Sequence, residues 1–382
     1  MKTIYSQTKQ LIKLKVLFAF AGIFLMAMPA MAQDPEYSMW TVNPTYYNPA
    51  YVGLSQGMRS RFTYRKQWVK LPADFKTFNF NADVAAREAP GSGGLGVVFD
   101  SDNEGDGIIK RNMAGITLAV RVPIASNIVS QFGILSSIIQ KRIDWNRFVF
   151  TDQLDEVYGN IYPTTFEHPV DESVVIPDFG AGGLLRFVAN TMKYKEIVGT
   201  LGLAVHHIFE PNQAFLGEVS PLPRKYVVSM DVMIQDMTGK GPNRLFKSNK
   251  KGFRFQPGMI YQYQGGMSSY QLGINMYKHP LYLGIWYRND ELKFMDYDAI
   301  VAMVGINIDF DDLNRMKLFY SYDLQLTDLM RATGGTHELV LMIEFDAMRL
   351  FGGGDSKKYN KSGNYTARRR HSMPKALECP SF

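Results

Sequence analysis

Met316–Phe345 reads MKLFYSYDLQLTDLMRATGGTHELVLMIEF. Leu318, Tyr320, Tyr322, Leu324 and Leu326 share one parity; Lys317, Ser321, Asp323, Gln325 and Thr327 hold the other, with Phe319 the exception. After Asp328–Gly335 the alternation resumes, with His337, Leu339, Leu341, Ile343 and Phe345 set against Thr336, Glu338, Val340, Met342 and Glu344. Successive side chains of a strand point to opposite faces, so this is a hairpin with one apolar and one mixed-polar face. Each strand has about ten residues, enough to cross a hydrocarbon layer when tilted. A lone hairpin is marginal in water, so both faces need neighbours.

Working outward, the same alternation recurs in about fourteen segments: 58–68, 75–85, 92–100, 109–121, 128–142, 176–190, 194–208, 223–236, 252–264, 269–277, 280–288, 297–309, 315–326 and 336–346. An even count suits a bacterial barrel. Some segments are clean. Phe253, Phe255, Pro257, Met259, Tyr261 and Tyr263 alternate with Arg254, Gln256, Gly258, Ile260, Gln262 and Gln264. Segment 128–142 is muddied by apolar residues on both parities. With both chain ends periplasmic, the long connections Ile143–Val175 and Glu210–Leu222 fall outside, and 122–127, 191–193 and 278–279 are short inner turns. The basic connection Asp236–Lys251 breaks this habit. The fold expected is an all-β transmembrane antiparallel barrel over 58–346. A soluble β-sandwich is the competing architecture, and the uninterrupted meander of neighbours argues against it.

The 13% aromatic content, with 21 Tyr and 25 Phe, suits strands and membrane-interface girdles. The net charge of +6 belongs to the ends. Lys2, Lys9, Lys13 and Lys15 precede residue 33, and seven bases follow Asp355, leaving a near-neutral body. A nucleic-acid surface is therefore a poor reading. Residues 1–32 read as a signal peptide: a lysine-bearing start, an apolar run Val16–Met28, and a small-residue site at Ala30-Met31-Ala32. Residues 33–57 form a lead-in in which Asn43-Pro44 and Asn48-Pro49 preclude a central strand. Residues 347–382 are a flexible basic tail, expected to be periplasmic, that opens on Gly352-Gly353-Gly354. Cys379 is the only cysteine, so no intrachain disulfide is possible.

Catalytic constellations are scarce. His206 and His207 are adjacent on an expected strand, so their side chains should point to opposite faces and cannot share a metal. His337-Glu338 fails for the same reason. Asp100–Gly107 starts like a calcium loop, but its twelfth position is Arg111 where a bidentate Glu is wanted. An acidic, solvated hairpin tip is the reading preferred. No Gly-x-Ser-x-Gly or phosphate-binding loop motif occurs. The expectation is a protein that is not an enzyme and uses no cofactor or metal. Lumenal charges such as Lys317, Asp323 and Glu338 then wet the bore or pair across it. Arg368-Arg369-Arg370 is either a solubilising tail or a docking strip for an acidic partner.

The opening QDPEYSMWTVNPTYYNPAYVG, then Tyr64-Arg65-Lys66-Gln67-Trp68 and Phe75-Lys76-Thr77, resembles the PorP/SprF family of Bacteroidetes outer-membrane proteins. The likeness continues through Pro177-Asp178, Leu222-Pro223-Arg224, Tyr261–Gly266 and Tyr287-Arg288 to Tyr320–Asp323 and Gly335–Glu338. It departs at Lys66, where the family pattern has Asn, and in the long basic tail. The resemblance implies a non-enzymatic barrel of type IX secretion and gliding motility. Such a barrel retains a secreted cargo or surface adhesin, or links periplasmic lipoproteins of the machinery to the outer membrane. The residues expected to meet partners are Asn43, Pro44, Tyr47, Asn48, Pro49, Tyr64, Arg65, Gln67, Trp68, Arg368, Arg369 and Arg370. A channel for small solutes is the alternative function, because the inner parity is polar.

Overall fold

The computed structural model describes residues 34–348, apart from 56, 74, 87–91, 106–107, 156, 168–171, 193–194, 216–218, 237–251, 290–298, 312, 327–332 and 347. The expected signal peptide and almost all of the tail, with Arg368, Arg369 and Arg370, lie outside the described residues.

Fourteen antiparallel strands close into a barrel. They are β1 (Met58–Gln67), β2 (Phe75–Ala85), β3 (Ser92–Glu104), β4 (Ile109–Ala125), β5 (Ile128–Ile143), β6 (Ser173–Met192) and β7 (Lys195–His206). The circuit continues with β8 (Lys225–Asp236), β9 (Phe253–Gln264), β10 (Met267–Lys278), β11 (Leu281–Asn289), β12 (Ala299–Asp309), β13 (Asn314–Gln325) and β14 (Thr336–Phe345). Each strand pairs with its neighbours in sequence, and β1 closes on β14 from Met58 opposite Phe345 to Gln67 opposite Thr336. Closure leaves no free edge, the one way a sheet can satisfy its backbone in lipid.

Hairpin β13–β14 obeys the parity read from the sequence. Leu318 faces Leu341 and Tyr320 faces Leu339 on the outer surface, while Ser321 and Glu338 sit opposite each other inside. Outward aliphatics such as Ile116, Leu118, Ile134 and Leu203 form the apolar belt. Tyr64, Tyr226 and Tyr263 lie on the outer face within three residues of their strand ends at one rim, as a girdle at a membrane interface would. Phe319, the residue that broke the pattern, is 3% exposed and points inward.

The two rims differ. At one lie the connections 144–172 and 207–224; at the other lie turns such as 126–127 and 279–280. We call these the long-loop end and the short-turn end. Met58 and Phe345 both sit at the short-turn end.

Two local expectations fail. β3 runs past Asp100 to Glu104, with Asp102 opposite Arg111, so Asp100 and Asp102 are buried lumenal residues and not a solvated tip. The turn falls at Gly105, which takes φ +53°. His206 and His207 do not part to opposite faces. The strand ends at His206, and His207 adopts φ +56°, which turns both rings inward to 7% and 2% exposure. Alternation holds only while the backbone stays extended.

Candidate functional site

Pro35–Leu54 lies inside the barrel, and this strap organises the lumen. Its hydrophobic residues find partners on the wall all around. Tyr37, Trp40 and Tyr47 pack with Ala204, Val227, Ile260, Trp286 and Val301. Met39 and Val42 pack with Tyr277, Tyr282, Met303, Phe319, Val340 and Met342. Trp40 meets Trp286 edge-to-face with centroids 5.6 Å apart. These contacts explain the apolar residues on the inner parity of several strands, Phe319 included. The strap packs against the inner wall, so the lining is mixed.

Both Asn-Pro pairs work the same way. Each proline opens a short helical turn, Pro44–Tyr47 and Pro49–Tyr51, at the first position, where a missing N–H costs nothing. Each preceding asparagine tethers the turn to the wall. The Asn43 side chain donates to Asn79 at 2.9 Å and accepts from Asn81 at 2.6 Å. Asn48 donates to the carbonyls of Gly183 (3.2 Å) and Leu203 (3.1 Å) and accepts from the Ala50 amide (2.8 Å). The wall is scalloped to admit these turns. A Cβ on Gly133 would overlap the Pro49 carbonyl, and one on Gly182 would overlap the Asn48 side chain.

Buried charge fastens the strap at the long-loop end. Glu338 accepts from the amides of Ser38 (2.7 Å) and Met39 (3.2 Å), and the Ser38 hydroxyl donates to Asp323 (2.6 Å). Arg65 pairs with Asp323 at 3.3 Å and Glu338 at 3.4 Å, and Arg288 pairs with Asp323 at 2.9 Å. The Tyr37 hydroxyl donates to Asp100 at 2.5 Å. Glu36 accepts from Gln262 and Ser269, both at 2.8 Å, and from Gln271 at 3.0 Å. Toward the short-turn end the Gly53 amide donates to Asp83 at 3.0 Å, and its carbonyl accepts from Arg121 at 2.6 Å. Near that rim Arg59, Arg315 and Lys317 converge on Glu344 at 3.1, 2.6 and 3.0 Å. Buried carboxylates are tolerable here because each is paired and hydrogen-bonded. The inward charges therefore pair, and those at Asp323, Glu338, Asp100, Asp83 and Arg121 also hold the strap. A cleft of about 40 Å³ remains beside Thr41 and Val42, lined by Met233, Tyr277, Met303 and Phe319.

The partner-binding candidates divide by location. Asn43, Pro44, Tyr47, Asn48 and Pro49 are buried in the lumen. Arg65 also points inward, into the carboxylate cluster. Tyr64 stands on the outer face at 44% exposure. Gln67 ends β1, and Trp68, at φ +53°, stacks edge-on against Phe75 with centroids 4.9 Å apart.

The sequence offers the long outer connections as a surface without naming residues on them. In the 144–172 connection Trp145, Phe148, Phe150 and Phe166 form a run of ring contacts, Phe150 and Phe166 stacked at 4.6 Å. Beyond it the two-residue pair Leu154–Asp155 and Gly159–Asn160 carries Val157 and Tyr158, which are 80% and 77% exposed. Asp152 accepts from the Thr165 amide at 2.6 Å, and Asp155 caps the amides of Val157 (2.8 Å) and Tyr158 (2.9 Å). Those bonds hold both carboxyls below the usual carboxylate range, chiefly through the Thr165 and Tyr158 amides respectively. The only signal in the sequence was aromatic density in an otherwise acidic connection.

Among the described residues no group of three or more His, Cys, Asp or Glu side chains is arranged to hold a metal. His206 bonds the Tyr47 carbonyl at 2.9 Å and His207 pairs with Asp178 at 3.0 Å, so both serve local structure.

The model of a family described as type IX secretion system membrane protein PorP/SprF matches residues 30–343. No curated protein matches the chain. Solved structures with similar architecture include the Pseudomonas putida toluene transporter TodX, at 11% identity and TM-score 0.37, covering 84% of this chain and 96% of that one. The Ralstonia pickettii toluene transporter TbuX follows at 9% identity and TM-score 0.40, covering 79% and 93%. A Pseudomonas aeruginosa FadL homologue is 10% identical at TM-score 0.38, covering 80% and 94%.

Proposed function

We propose, from the premise that this chain belongs to the PorP/SprF family of type IX secretion system membrane proteins, that it is a non-enzymatic outer-membrane scaffold. It anchors a secreted cargo protein or surface adhesin at the cell surface. The observation that carries this reading is the strap. A bore filled from Pro35 to Leu54 by packed aromatics and paired charges offers its rims to partners, not its lumen to solutes. The long-loop end faces outside and presents the ordered aromatic hairpin around Val157 and Tyr158. The short-turn end, with Met58 and Phe345, faces the periplasm and the lipoproteins of the machinery. The basic tail with Arg368, Arg369 and Arg370 is a docking strip on that side.

Crosslinking mass spectrometry on native membranes tests the assignment. The expected result is enrichment of one large surface protein on residues 144–172. Enrichment of periplasmic components alone would replace the anchor role by a linking role in the machinery. Planar-bilayer recording separates the channel alternative: the intact protein should be nearly silent, and steady conductance would favour solute passage. Deleting Lys357–Phe382 should weaken periplasmic complex formation and leave a heat-modifiable barrel.

A further inference from the structure

The strap does more than fill the bore; it crosses it from rim to rim. Glu36 is held by Gln262, Ser269 and Gln271, which lie near the long-loop ends of β9 and β10. Ser38 is held by Asp323 and Glu338, two residues from the long-loop ends of β13 and β14. Gly53 is held by Asp83, two residues from the short-turn end of β2, and a Cβ on Gly57 would overlap the Phe345 carbonyl on the short-turn rim. Pro35 and Met58 therefore lie at opposite ends of the barrel, although Met58 and Phe345 lie at the same end. The β1–β14 seam closes around this chain, and the seam's own ion pair Arg65–Glu338 grips it.

We infer that the strap enters the barrel from the long-loop side, so that Pro35, half-buried at that rim, belongs to the surface presented with the long loops. This departs from the expectation that both ends of the mature chain are periplasmic. It adds the Pro35–Glu36 stretch to the face proposed above for cargo, and on that point rests on the outward orientation of the long loops. The threading itself does not depend on orientation.

Single-cysteine labelling decides it. In a Cys379→Ser background, Pro35→Cys is compared with Tyr158→Cys on the long loop and Phe310→Cys in a short turn, residues 77% and 64% exposed in the native chain. Each variant is first checked for heat-modifiable migration. Intact cells are then treated with a membrane-impermeant maleimide, before and after the outer membrane is permeabilised. The expected result is that Pro35→Cys and Tyr158→Cys label together on intact cells, while Phe310→Cys labels only after permeabilisation. If Pro35→Cys tracks with Phe310→Cys, or labels only on unfolding, the threading is wrong. If Pro35→Cys still tracks with Tyr158→Cys but both are shielded on intact cells, the threading stands and the outward orientation fails.

Discussion

Glu338 shows how single residues hold this protein together. Two strap amides and the Arg65 guanidinium converge on one carboxylate that is 1% exposed. Removing it leaves two N–H groups buried without their acceptor and takes from Arg65 one of its two carboxylates, Asp323 remaining. Breaking such a pair costs about 3–5 kcal/mol, whereas losing a hydroxyl's bond to a charged partner, as Ser38 makes with Asp323, costs about 1.5–3 kcal/mol. Glu338→Ala should therefore lower the temperature of the heat-modifiability shift on gels more than Ser38→Ala. Gly133→Val probes the same seating from the wall. Its added side chain must displace the Pro49 turn, and the expected readout is protease access to the strap with the outer face unchanged.

At the scale of elements, strands and loops answer to different forces. β5 presents Ile134 to lipid near its middle, at 60% exposure. A charge there is opposed by the hydrocarbon, and Ile134→Lys should destabilise the protein in vesicles by about 2–4 kcal/mol. The 144–172 connection has no lipid to order it and relies on Asp152 and Asp155. Both carboxyls sit below their unfolded pKa, so their ordering of the loop is complete above the ordinary Asp value of about 3.9. That contribution is lost as pH falls through the depressed folded values. Proteolysis within 144–172 by an acid-active protease should accelerate below about pH 4 while the strands stay resistant.

For the whole molecule, the lumen decides what the barrel can do. Deleting residues 35–54 would strip Asp323, Glu338, Arg65 and Asp100 of strap partners and open the bore. The refolded deletion variant should conduct ions in planar bilayers where the intact protein is nearly silent. An equally silent deletion variant would mean that something besides the strap closes the passage.

Strand number, and strand limits to within a few residues, were legible in the sequence because alternation is local: each residue's face depends on its neighbours. Segment 128–142 looked muddied for a reason the sequence hides. Ile139 is apolar and inward because Leu222 of the 207–224 connection packs in one cluster with it. His207 escapes the alternation because one left-handed residue at a strand end cancels it. The likeness to the family was legible too, since it rests on ordered short motifs. What only the tertiary structure decided is where Pro35–Leu54 goes. Ser38 meets Glu338 across 300 positions of chain, and Asn48 meets Leu203 across 155. No periodicity encodes such a pairing. It exists because closing fourteen strands makes a bore whose buried charges and glycine hollows must be matched, and this stretch of chain matches them.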